Sequence, residues 1–169
     1  MEFDYALARI SQFDEIMEIY SSAQKFMEDN GNPQWGKGFP DDHDIREGVF
    51  GGILYVVRSE GQIAAVFSVL NFDENYIEID GKWLTDGNYL AVHRVAVAEK
   101  FRGTGAAKYV LEVAAPQIAR SRGRASIRID THEKNTPMLG LLERLHFTRC
   151  GIVCLVRDGT LRIAFEKPL

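Results

Sequence analysis

Apolar residues recur along this chain with two different periods, and the period sets each predicted element. Tyr5 to Arg9 reads as a short first strand. Phe13, Ile16, Tyr20, Ala23 and Met27 follow at spacings of three and four, the stripe of one helix face. Ser11, with Asp14 three residues on, predicts the cap that starts this helix, and Asn30-Gly31 ends it. The stretch NGNPQWGKGFPDDHD, 30–44, is the longest loop-like segment, and long loops in compact domains often carry function. A short helix is predicted from Asp44 to Phe50. Leu54 to Arg58 and Ile63 to Asn71 are β-rich runs split by SEGQ, which predicts a hairpin. The mixed segment 73–88 reads as a loop with a turn of helix.

The second half alternates strand and helix. Tyr89 to Ala98, YLAVHRVAVA, is apolar at nearly every position, as expected of a central strand covered on both faces. Gly105 to Arg122 reads as a helix with Ala107, Leu111, Ala114 and Ile118 on one face. Pro116 lacks a backbone donor and predicts a kink there. Ala125 to Thr131 is a strand. Thr136-Pro137 then starts a helix, a cap followed by proline at its first position, with Met138, Leu141, Leu142 and Leu145 along one face. Val153 to Arg157 and Leu161 to Glu166 close the chain as strands around the turn Asp158-Gly159. The order predicts an α/β fold whose mixed sheet has a parallel portion and helices on both faces.

Composition narrows the class. A length of 169 residues predicts one domain, 1–169, and 46% hydrophobic with 26% charged residues is ordinary for a globular chain. A net charge of −4 argues against nucleic acid as the main partner. The N-terminus MEFDYALARI lacks a basic region followed by an apolar run, and no stretch approaches the ~18 apolar residues of a membrane span. A cytoplasmic location follows as the expectation. Cys150 and Cys154 are too few for a disulfide framework and read as reduced core thiols.

Chemistry concentrates in HRVAVAEKFRGTGAAKYVL, residues 93 to 111. A buried strand runs into a basic, glycine-rich turn, and a helix opens at the glycines. Unpaired N–H groups at a helix start and the close approach that glycine permits make a phosphate cradle. No GxxxxGK[ST] run is present, and GxGxxG fails because Lys108 stands at the third glycine. Arg102-Gly103-Thr104-Gly105-Ala106-Ala107 instead fits [RQ]xxGx[GA] at every defined position. That segment resembles the acyl-CoA loop of the GNAT N-acetyltransferase superfamily. NTPMLGLLERLHF, 135–147, resembles the family's downstream helix motif, and the element order is similar over nearly the whole chain.

The resemblance implies a mixed, mostly antiparallel sheet with one splayed parallel strand pair, and acetyl-CoA as co-substrate, with no metal. Strand contacts to the pantetheine fall on Val95, Ala96 and Val97, the diphosphate on Arg102, Gly103, Thr104, Gly105, Ala106 and Ala107, and a further contact on Asn135. The implied chemistry is direct attack of a primary amine, on a small molecule or peptide, on the thioester. Many relatives carry a tyrosine beside the leaving sulfur; here that position is Leu142, and His146 replaces the glycine before Phe147. This departure leaves open an acyl-CoA-binding module without catalysis. A nucleotide-binding module with a degenerate turn is a second alternative. The oligomeric state is open, with a homodimer among the options.

The amine must lose a proton before it attacks, so a base is expected. Alternation along the strand places His93 on one face with Val95 and Val97. Some arylalkylamine acetyltransferases of the superfamily have a histidine at the matching position. Burial should lower its pKa; the competing reading is a core histidine bonded to a backbone carbonyl. Asp130 and His132 share a face near the end of the neighbouring strand and could orient each other. Trp35, Phe39, Tyr76 and Trp83 are candidates for the acceptor pocket, since aromatic rings hold cationic amines. Glu74, Glu78 and Asp80 add negative charge beside Tyr76.

Overall fold

The structure is a computed structural model that describes residues 1–36 and 38–169; Lys37, inside the predicted loop, lies outside the described residues. Eight strands form one sheet in the order β1-β2-β3-β5-β6-β8-β7-β4. They are β1 (Asp4–Leu7), β2 (Leu54–Ser59), β3 (Gln62–Leu70), β4 (Asp80–Gly81), β5 (Tyr89–Val97), β6 (Ser126–Thr131), β7 (Thr148–Cys154) and β8 (Leu161–Pro168). Among the described residues the β5–β6 pair alone is parallel. Helices α1 (Phe13–Asp29) and α2 (Asp42–Phe50) bury Ile16, Ile19, Tyr20 and Ile45 with one face of the sheet. Helices α3 (Ala106–Tyr109), α4 (Ala115–Ser121) and α5 (Thr136–Arg144) pack with Leu90, Val92 and Ile127 in the larger core. Among the described residues no helix is long and apolar enough to cross a membrane.

Several local expectations are corrected. Ser11 is not the cap of the first helix: a 3-10 turn, Ile10–Gln12, precedes α1, and the Gln12 side-chain Oε1 accepts from Arg9 N–H at 2.9 Å. Helix α2 starts two residues earlier than predicted. Asp41 and Asp44 cap each other's backbone at 2.9 and 3.0 Å, a reciprocal arrangement that satisfies two otherwise orphaned donors. Pro116, where a kink is predicted, stands at the second position of α4, and a π-helical turn, Val110–Ala114, joins α3 to α4 just before it. Strand β7 starts and ends before the predicted 153–157.

Strand β4 was not foreseen. It exists because Gly81 and Gly151 meet backbone to backbone: a Cβ on either would stand 2.1 Å from the opposite carbonyl oxygen. The cysteines are free but are not core thiols. Cys150 is half-buried as the extra residue where the β7–β8 register shifts, and Cys154 is exposed.

Two features of β5 set up the site. It pairs with β6 only through Tyr89↔Ser126, Leu90↔Ile127 and Ala91↔Arg128; beyond these the strands part. On its other side, Ser68 faces His93 and Val66 faces Ala96, so β5 has one extra residue between these pairs. This bulge centres on Arg94, whose φ is +53°, a costly conformation for a side chain of this size. Neighbours hold it there. Tyr20 O–H donates to the Arg94 carbonyl at 3.0 Å, and the Arg94 guanidinium meets Asp44 at 3.1 Å.

Candidate active site

A cavity of about 510 Å³ opens where β5 and β6 part. Its walls include the loop after α1 with Gln34, Trp35 and Phe39, the end of β3 and the segment after it with Asp73, the bulged half of β5, the end of β6 with Asp130 and Thr131, the start of α5 with Met138, and Arg157 and Arg162 from the β7–β8 turn and β8. The Gln34 side chain closes one side. Its oxygen accepts from Thr131 Oγ1 at 2.9 Å, His132 N–H at 3.2 Å and Asn135 Nδ2 at 2.7 Å. A single amide thereby ties the loop to the turn between β6 and α5.

His93 lies at the cavity with 22% of its side chain exposed. Its Nε2 stands 2.6 Å from Asp73 Oδ2, a close ion pair whose N–H is not aimed along the contact. Its Nδ1 stands 3.7 Å from Asp130 Oδ2. That same Asp130 oxygen accepts from Tyr76 O–H at 2.7 Å, and the Tyr76 and His93 rings lie 5.8 Å apart. Asp73 is fixed in turn as the cap of a short turn, accepting from Asn75 N–H at 2.9 Å.

The electrostatics reverse one expectation. Burial is the largest influence on His93 and works to lower its pKa. The close contact with Asp73, with the charges of Asp130 and Asp73, outweighs burial, and the pKa stands above the ordinary histidine value. For Asp73, burial pushes upward, but His93 and the Asn75 donors hold its carboxyl below the usual range. Tyr76 is driven well up by burial first and then by Asp130 and Asp73, so its phenol keeps its proton.

The bulge also changes which residues share a face. Since Ser68 and Val66 lie on one side of β3, their partners His93 and Ala96 lie on one side of β5. His93 is thus on the face opposite Val95 and Val97, contrary to simple alternation, although His93 and Val95 both border the cavity.

The glycine turn has the form of a cradle. Gly103 and Gly105 have φ of +78° and +96°, and a Cβ on either would meet nothing within 4 Å. Gly105 is the N-cap of α3, so the N–H groups of Ala106 and Ala107 open the helix without intrahelical partners. Thr104 Oγ1 donates to the Phe101 carbonyl at 2.7 Å and tightens the turn. The Arg102 side chain is committed elsewhere: it donates to Ser22 at 3.1 Å (carbonyl) and 2.8 Å (Oγ) and stacks on Phe26.

Other predicted residues scatter. His132 does not pair with Asp130; its Nδ1 accepts from Lys134 N–H at 3.0 Å, outside the cavity lining. Trp35 and Phe39 line the cavity, whereas Tyr76 and Trp83 do not. Trp83 donates to the Tyr76 carbonyl and covers the guanidinium of Arg128 at 4.2 Å. Arg128 pairs at 3.1 Å with Glu166, which is fully buried and also accepts from Leu84 N–H, Ser126 and Thr85. Asn135 lines the cavity while capping α5. Leu142 is fully buried in the larger core and brings no polar group to the cavity.

Sequence reasoning missed Asp73, Gln34 and the cavity-lining arginines Arg94, Arg157 and Arg162. None belongs to a motif. The one usable signal was the placement of Asp73 and Gln34 in the two irregular segments.

The sequence pattern of the Acetyltransferase (GNAT) family matches residues 13–147. A GNAT-family acetyltransferase from Streptococcus agalactiae is 32% identical, with 99% of this chain and 95% of that chain covered and a TM-score of 0.87. The chain belongs to the GNAT acetyltransferase family. This GNAT acetyltransferase also shares its fold with a family member from Listeria monocytogenes, at 18% identity, coverage of 100% and 96%, and TM-score 0.75. The PaiA N-acetyltransferase of Thermoplasma acidophilum, solved in complex with coenzyme A, shares the fold at 10% identity, coverage of 100% for both chains and TM-score 0.74. No curated protein matches the chain.

Proposed function

We propose that this acetyltransferase moves an acetyl group from acetyl-CoA to a primary amine of a small molecule or peptide, with His93 as proton acceptor. The observation that carries the reading is the coincidence of three things at one splay: a cavity, a histidine between two carboxylates, and an open glycine turn at the far end of the strand. Arg102 to Ala107 would hold the diphosphate through backbone N–H groups, with Arg102 bracing the turn against α1 rather than supplying a free charge. The backbone of Val95 to Val97, unpaired on its β6 side, and the side chain of Asn135 complete the binding set.

Acetyl-CoA supplies an activated acyl thioester. The protein holds the acceptor amine and takes its proton. An alkylammonium has a pKa near ~10, so a neutral imidazole in reach of the nitrogen raises the share of attacking amine. Asp73 and Asp130 orient the ring and stabilise the imidazolium that forms. Tyr76, bonded to Asp130, keeps that carboxylate from turning away.

The test is CoA thiol release from acetyl-CoA across a panel of primary amines. Release with at least one amine, lost in His93→Gln, supports the reading. Tight acetyl-CoA binding without release for any amine would favour the silent binding module instead. Stabilisation by ATP or NAD in place of CoA would favour a nucleotide-binding module.

A further inference from the structure

The charges lining the cavity are sorted into two ends. Asp73 and Asp130 stand against His93, Asp130 acting also on Arg162 through its charge, and Glu74 lines the same cavity. Toward the loop after α1 and the β7–β8 turn stand Arg94, Arg157 and Arg162. Arg94 is neutralised by Asp44 at 3.1 Å. Arg157 lies over Phe39, 4.4 Å from the ring centroid, and its only carboxylate contact among the described residues is its exposed neighbour Asp158. Arg162 is different. Only 4% of it is exposed, its guanidinium donates to the carbonyls of Leu161 and Gln34 at 3.1 and 3.0 Å, and among the described residues no carboxylate lies within 4.0 Å of it.

A buried guanidinium on which carboxylates, Asp130 and Asp158, act only from beyond contact distance is costly to desolvate, and carbonyl dipoles offset only part of the charge. Its planar fork suits an oxyanion, which it can bind through two parallel N–H bonds. Apolar side chains also line the cavity, among them Met27, Trp35 and Met138.

The geometry points to an acceptor that is itself an amino acid: a small molecule with an apolar side chain, its carboxylate on Arg162 with help from Arg157, and its ammonium toward Asp73, Asp130 and His93. This deepens the acetyl-transfer reading and rests on the same cavity. The acidic end attracts the ammonium before His93 takes its proton; the basic end rejects simple amines, which would leave Arg162 unpaired.

The experiment separates the two readings by measuring binding and transfer independently. Phenylalanine is compared with phenethylamine, and leucine with 3-methylbutylamine, pairs that differ in the carboxylate. Affinity for the free protein is read by calorimetry, and transfer by CoA release. The expected result is at least tenfold tighter binding of the carboxylate member of each pair. Arg162→Lys and Arg157→Gln should each shrink that ratio, by about tenfold and about threefold, and Arg157→Gln serves if the buried substitution fails to fold. Equal or tighter binding of the decarboxylated amines overturns the inference, as does a ratio unmoved in both variants. Selective binding of amino acids without any CoA release would sustain the carboxylate site and refute acetyl transfer. Release with simple amines alone would do the reverse.

Discussion

Replacing His93 by glutamine changes two observables whose pH dependences run in opposite directions. In the wild type, Asp73 and Asp130 hold the imidazole pKa above its ordinary value despite burial. A raised folded pKa means that the stabilisation is fully present below the unfolded value, about 6.5, and is lost as pH rises through the folded one. The Asp130 contact at 3.7 Å is worth about 1 kcal/mol if fully screened and about 4 kcal/mol at an effective dielectric near 20. With 22% of the side chain exposed, the real value lies between these limits. His93→Gln should therefore lower Tm most below about pH 6.5, by about 2–4 °C per kcal/mol for a chain of this size, and the gap should narrow at higher pH. Turnover follows the other trend, because only the neutral imidazole accepts a proton: the wild-type rate should rise over the same pH window and level off. The variant should lose about 10²–10⁴-fold in turnover, or about 3–5 kcal/mol of barrier lowering, and its profile should lose that inflection. Thermal melts and initial rates between pH 5.5 and 9.5, taken on the same preparations, check both at once. A Tm gap that widens with pH, or a variant within fivefold of wild-type turnover, refutes the reasoning.

Gly105→Val should abolish the rise in Tm that acetyl-CoA produces, because φ of +96° strains a β-branched residue and its side chain would enter the open cradle; an unchanged rise places the diphosphate elsewhere. Arg102→Ala should cost about 1–3 kcal/mol through the lost Ser22 bonds and Phe26 stacking, and should raise KM for acetyl-CoA more than it lowers kcat; a collapse of kcat at fixed KM would contradict that role. Glu166→Gln removes the counter-ion of buried Arg128 and should cost about 3–5 kcal/mol in urea unfolding, with faster amide exchange in residues 82–88; a change below 1 kcal/mol would show that the pair is not what fixes this segment.

Apart from β4, the sequence by itself determined the order of the main elements, with the central strand and the glycine turn, because these rest on short-range rules. Periodicity reveals which face of a helix is apolar, and a turn that needs two positive φ angles announces itself as Gly103 and Gly105. The same rules failed wherever a distant segment decided the outcome. Alternation put His93 with Val95, but the extra residue at Arg94 is stabilised by Tyr20 and Asp44, which lie 74 and 50 positions away in sequence. Burial alone predicted a lowered His93 pKa, and only the fold brings Asp73 and Asp130 against the ring. Tyr76 and Trp83 looked like pocket aromatics until Asp130 and Arg128 were found to claim them. Arg162 reads as an ordinary polar residue in a strand, and it becomes a buried charge at the cavity, with no carboxylate in contact among the described residues, because the sheet order sets β8 beside β6. Local geometry is encoded by neighbours along the chain, whereas pKa, counter-ions and cavity walls are set by through-space contacts between segments whose separation in sequence is large, and these exist only once the sheet has closed.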